Sequence, residues 1–184
     1  MLRPPALIAL LATLLATVPA LAGETVRTEA AHLRFSVPAT WTRVPAAGDT
    51  QAARYRLPPA AGDLAETDLV LLSGAGGQAT TADEQLERWY ARFTQPDGRP
   101  AKVAAAVLRR TIDGLIVTRV DVSGTYVGST SGAVQGGVSG YRLLGAVVEG
   151  DGGPWTFEML GPKTTVGAGR ADLDALLFSL ELHR

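Results

Sequence analysis

Histidine, serine and carboxylate side chains are the groups in this chain that could support hydrolysis, and only two histidines occur among its 184 residues. His32 falls on the first strand pattern and His183 stands next to last, so a Ser-His-Asp triad would have to recruit one of them. No G-x-S-x-G elbow is present to expose a serine. The nearest approach, Gly128 to Gly132, carries Thr130 at the nucleophile position. Gly74-Ala-Gly-Gly77 follows a strand pattern and precedes a helix, but it fits no phosphate-binding spacing. Asp83 and Glu84 at the helix start would repel a phosphate, so a strand-to-helix loop is the better reading. The Asp83/Glu84/Glu87 group is explained by helix capping, and Asp172 and Asp174 are expected to face water on a helix. Neither group has calcium-loop spacing, and two histidines cannot build a His-rich metal site. Arg119 and Asp121 share a strand face and could form an ion pair there.

Aromatic residues offer binding rather than catalysis. Trp89 belongs to a helical stripe and is expected in the core. Trp41 and Trp155 sit beside Pro or Gly at strand edges, where a core position and a half-exposed one that reaches a partner are both open, the core position slightly favoured. The candidate ligand-binding set is therefore Trp41, Tyr141, Arg142 and Trp155. Arg142 would supply a charged donor fork and the rings a flat apolar wall. The Gly/Ser-rich segment Val127–Gly140 is expected as a mobile loop that could close over them.

The elements that must position these groups are legible from periodicity. Leu33, Phe35 and Val37 alternate with polar residues, as do Ala53, Tyr55 and Leu57, and Leu69–Leu72 reads as a buried strand. Thr81-Ala-Asp-Glu84 is a capping box that opens a helix with Leu86, Trp89, Tyr90 and Phe93 on one stripe. Asp113-Gly114 predicts a type I′ turn between strands at about Lys102–Ile112 and Leu115–Tyr126. Tyr141–Val148 and Trp155–Leu160 form a further strand pair, and Leu173, Leu176, Leu177 and Leu180 stripe a closing helix whose start is blurred by Gly167 and Gly169. The order βββ-α-ββββ-α predicts an α+β domain: an antiparallel sheet of about six to seven strands packed with two main helices.

Composition narrows the function classes. The chain is 46% hydrophobic and 19% charged, with a net charge of −1, which favours one folded domain and gives no electrostatic case for nucleic acid. The absence of cysteine excludes disulfides, thiolate catalysis and Cys-ligated zinc. Residues 1–22 (MLRPPALIALLATLLATVPALA) have a basic n-region at Arg3, a short apolar h-region and an Ala20-Leu21-Ala22 cleavage site. Cleavage after Ala22 leaves residues 23–184, with a net charge of −2 once Arg3 is lost. The apolar run is too short to span a bilayer, and no later segment is long and apolar enough to do so. The expected address is the periplasm or the cell exterior.

The segments LRFSVPATW, RYRLP, QLERWYARFTQPDG, DGLIVTRVDVSGTYVG and GYRLLGAVVEGDGGPWTFEMLGP resemble a family of exported bacterial proteins of uncharacterised function, over about Leu33–Leu180. That family is similar to the PsbP-like α/β sandwich, whose members are mostly non-catalytic accessory or binding proteins. The resemblance implies a binding module of the cell envelope and carries no ligand position residue by residue. No cofactor is implied, and the partner is an unknown protein or small molecule. The rival readings are a hydrolase using Ser or carboxylate groups near His32, and a structural envelope component.

Overall fold

A computed structural model describes residues 23–74, 81–128 and 137–183. Residues 1–22, most of the Gly74-Ala-Gly-Gly77 loop and the middle of the Gly/Ser-rich segment, all singled out in the sequence, lie outside the described residues; residues 138–140, expected in the Gly/Ser-rich loop, are strand instead.

The chain opens with a hairpin. Strand β1 (Thr25–Ala30) pairs antiparallel with β2 (Leu33–Pro38), and the two-residue connection is Ala31-His32. Both connecting residues have positive φ, 51° and 63°, the geometry of a type I′ turn formed without glycine. His32 is thus in a turn rather than on the first strand. The turn is held from outside: the indole N–H of Trp155 donates to the Ala31 carbonyl at 2.8 Å, and the His183 backbone N–H donates to the His32 carbonyl at 2.8 Å. Strand β11 (Glu181–Leu182) joins the far side of β2, giving a small sheet ordered β1-β2-β11.

The large sheet is antiparallel throughout. It runs β3 (Thr42–Arg43), β4 (Gln51–Leu57), β5 (Thr67–Ser73), β10 (Trp155–Pro162), β9 (Val138–Glu149), β8 (Leu115–Tyr126). At its far side β8 pairs with both β6 (Phe93–Thr94) and β7 (Ala106–Ile112) along different stretches. The β7–β8 hairpin turns at Asp113-Gly114 with φ of 48° and 80°, as the sequence predicts.

Alternation along these strands sorts residues onto two faces. One face carries Ala53, Tyr55, Leu69, Leu71, Val117, Leu144, Ala146, Val148, Phe157 and Met159, packed with Leu33 and Phe35 of β2. Helix α3 (Lys163–Ala168) and helix α4 (Arg170–Phe178) complete this layer, with Leu173, Leu176, Leu177 and Leu180 all buried. The anticipated single closing helix is therefore two helices meeting at Gly169. Asp63 anchors the first of them, accepting from the Thr165 N–H at 3.0 Å and from its hydroxyl at 2.6 Å.

The other face packs Val120, Val122, Leu143 and Val147 against helix α1 (Ala82–Tyr90) and helix α2 (Ala101–Ala104). Thr81 caps α1 by accepting from the Glu84 N–H. The helix stops at Tyr90, so Phe93 reaches the same core from β6 instead of from the helix. Residues 102–104 form α2 rather than the start of β7. The molecule is an α+β sandwich with the large sheet as its middle layer.

Candidate functional site

The four candidate residues do not converge. Trp41 and Trp155 are core residues, 6% and 1% exposed, on the α3/α4 face of the large sheet. Their position beside Pro or Gly does not leave an indole free, because the small sheet covers that face. Tyr141 lies on the opposite face and stacks on Tyr126, with centroids 5.9 Å apart. Arg142 forms a two-pronged ion pair with Asp121, Nε to Oδ1 at 2.8 Å and Nη2 to Oδ2 at 2.5 Å. That pairing raises the guanidinium pKa further, against the opposing effect of burial. The same Asp121 oxygen also takes Nη1 of Arg170 at 3.3 Å.

Arg119 and Asp121 therefore do not pair with each other. Arg119 reaches Asp174 of α4 at 2.9 Å, which also corrects the expectation that Asp174 simply faces water. Asp172 is half buried, and desolvation raises its pKa. His32 is exposed and its side chain makes no hydrogen bond among the described residues, so no Ser-His-Asp triad is assembled there. Among the described residues no group of three His, Asp or Glu is placed to hold a metal ion.

A second polar cluster lies under α1. Glu158 accepts from Nε1 of Trp89 at 2.8 Å and from both terminal nitrogens of Arg92, at 2.8 and 2.7 Å. Arg92 also donates to the Tyr126 hydroxyl at 2.9 Å and lies over that ring, 5.2 Å from its centroid. Both carboxylate oxygens and the guanidinium fork are engaged by neighbours. The cluster is built to pin α1 to the sheet, and its donors are used within the fold.

A groove between α4 and the β7–β8 hairpin, about 320 Å³ in volume, holds a cation without a carboxylate partner among the described residues. Its apolar wall is Leu108, Ile112, Val117, Leu177 and Phe178. Leu108 and Phe178 are 39% and 57% exposed, large apolar surface left open to water. Three arginines, Arg110, Arg119 and Arg170, line the same groove with Asp174; Arg119 is paired with Asp174 and Arg170 with Asp121, which leaves Arg110. Arg110 lies 5.5 Å from the Phe178 ring centroid and has no carboxylate partner among the described residues. Apolar walls lower the local dielectric, and a surplus of guanidinium there favours an anion.

Sequence reading passed over this groove because its residues come from β7, β8 and α4, which are distant in the chain. One signal was present. Leu108-Arg-Arg-Thr-Ile112 has no two-residue alternation, as expected of a strand with neither face fully buried. No single residue of Arg170 to Phe178 announces that α4 will stand beside it.

Comparison with known proteins agrees with the architecture. No family model matches the chain, and no curated protein matches it. The solution structure of the cyanobacterial PsbP protein CyanoP, from Synechocystis sp. PCC 6803, superposes with a TM-score of 0.52 at 14% identity. That match covers 91% of this chain and 98% of CyanoP, and it shows the PsbP-like fold. A protein of unknown function from Pseudomonas aeruginosa, PA94, matches with a TM-score of 0.49 at 14% identity, over 88% of this chain and 99% of its own.

Proposed function

We propose that this chain is a non-catalytic binding domain of the cell envelope, and that the α4/β7–β8 groove takes a small amphipathic anion. The observation that carries the reading is the groove's make-up: Arg110, which has no carboxylate partner among the described residues, set in an apolar wall with Leu108 and Phe178 exposed. Arg110 and Arg170 would hold a carboxylate, and the wall would cover an attached hydrocarbon or ring. The volume sits at the small end of ligand pockets, which suits a molecule such as a short fatty acid. Export rests on the leader-like residues 1–22 and on the resemblance to exported proteins.

The test is a thermal-shift and calorimetric comparison of octanoate, octylamine and octanol. The reading expects octanoate alone to raise the melting temperature, and Arg110→Glu to abolish the rise. Equal shifts from octylamine, or none from octanoate, would overturn it. Periplasmic fractionation of the full chain tests the address, and an uncleaved cytoplasmic product would count against it.

A further inference from the structure

Strand β7 is the end of the large sheet along residues 106–112, and among the described residues no strand pairs with its outer edge. Unlike most edge strands it is open on both faces: every residue from Ala106 to Thr111 is exposed. The β7–β8 hairpin fixes which backbone groups face outward. The type I′ turn closes on Ile112↔Leu115, so Ile112, Arg110 and Leu108 spend their N–H and C=O on β8. Alternation then leaves the N–H and C=O of Val107, Arg109 and Thr111 pointing away from the sheet.

From this edge and its charge, we propose that β7 is a docking edge for an extended acidic peptide, which adds as an antiparallel strand. Consecutive arginines select the occupant. Arg109 projects to the α1/α2 face, where Glu149 reaches it only at 3.5 Å, and Arg110 projects into the groove. A second copy of β7 paired in full antiparallel overlap would set Arg109 against Arg109, which disfavours self-pairing. A strand with two consecutive acidic residues meets both arginines, one on each face. An apolar neighbour two residues along then falls against Leu108 and Phe178. The proposal rests on the groove reading for the contact at Arg110 alone; the backbone pairing is independent of it.

The experiment uses fluorescence polarisation with the labelled peptide Val-Thr-Glu-Glu-Leu-Val. Controls are Val-Thr-Lys-Lys-Leu-Val and the acidic peptide N-methylated at its second Glu. The acidic peptide should bind, and both controls should bind at least tenfold more weakly. Val107→Pro removes an outward N–H without touching the bonds to β8, and it should weaken binding at least tenfold. Should that variant fold poorly, the double charge reversal Arg109→Glu with Arg110→Glu provides a gain-of-function reading, since it should bind the Lys peptide in preference. No binding of the acidic peptide up to about 1 mM would overturn the proposal. So would equal binding of the N-methylated peptide, or a solution dimer abolished by Val107→Pro. Octanoate binding without peptide binding would leave the groove reading standing and remove this one; the converse would do the opposite.

Discussion

Trp89 stands directly over Gly145: a Cβ placed on that glycine would lie 2.5 Å from Cη2 of the indole. The ring cannot withdraw, because it is fully buried and its N–H is bound to Glu158. Gly145→Ala should therefore destabilise the fold by about 1–3 kcal/mol, the usual cost of overpacking a filled core. Chemical denaturation with Trp fluorescence checks this, and an unchanged midpoint would show that α1 can shift to make room.

Glu158 is the acceptor for three N–H donors at the α1 face. Glu158→Gln removes the charge opposite a guanidinium that is largely shielded from water, and should cost about 2–3 kcal/mol. Because the pair is shielded, the loss should change little between low and high salt. A loss that vanished in 1 M salt would mark the pair as a solvated surface contact.

Asp68 sits between Arg54 and Arg56 on the strand pair β4–β5. Burial acts to raise its pKa, but hydrogen bonds from Arg56 and Arg54 outweigh it and hold the carboxyl below its ordinary value of 3.8. The folded state thus binds the proton more weakly than the unfolded state. The stabilisation is present above the ordinary value and lost as pH falls through the folded one. Asp68→Asn should cost about 1 kcal/mol at neutral pH, discounted for partial exposure, and nothing in strong acid. Melting curves of the two proteins from pH 7 downward should converge.

The Ala31-His32 turn needs positive φ at two residues that resist it. Asn at position 31 and Gly at position 32 suit that geometry and keep both backbone carbonyls. Ala31→Asn with His32→Gly should raise stability by about 0.5–1 kcal/mol. A lower melting temperature would mean that the side chains here contribute packing the hairpin depends on.

That turn also marks where sequence reading stops. Asp113-Gly114 announces its hairpin because the turn residues themselves supply the backbone conformation. Ala31-His32 does not, since its conformation is imposed by Trp155 and His183 from the far end of the chain. The leucine stripe of α4 and the alternation in β2, β4 and β10 are local patterns, and they placed most of the core. Burial of Trp41 and Trp155 was not legible in the same way, because a second sheet covers them and nothing near either residue encodes it. The groove was hidden for the same reason. Arg119, Arg110 and Phe178 acquire a shared surface only after α4 crosses the sheet.

The small sheet has a consequence for the order of folding. Its central strand, β2, is bordered by β1 on one side and β11 on the other, and the contact of Arg34 with His183 spans 149 positions. Leu33 and Phe35 pack in one cluster with Phe157 of β10 and with Leu173, Leu176 and Leu177 of α4, so their cover is incomplete while only the earlier part of the chain is available. Closing so long a loop makes completion of this layer slow and late. During that interval Leu33, Phe35 and Val37 on one face of β2 form an apolar stripe without a lid, the segment a holding chaperone would be expected to grip.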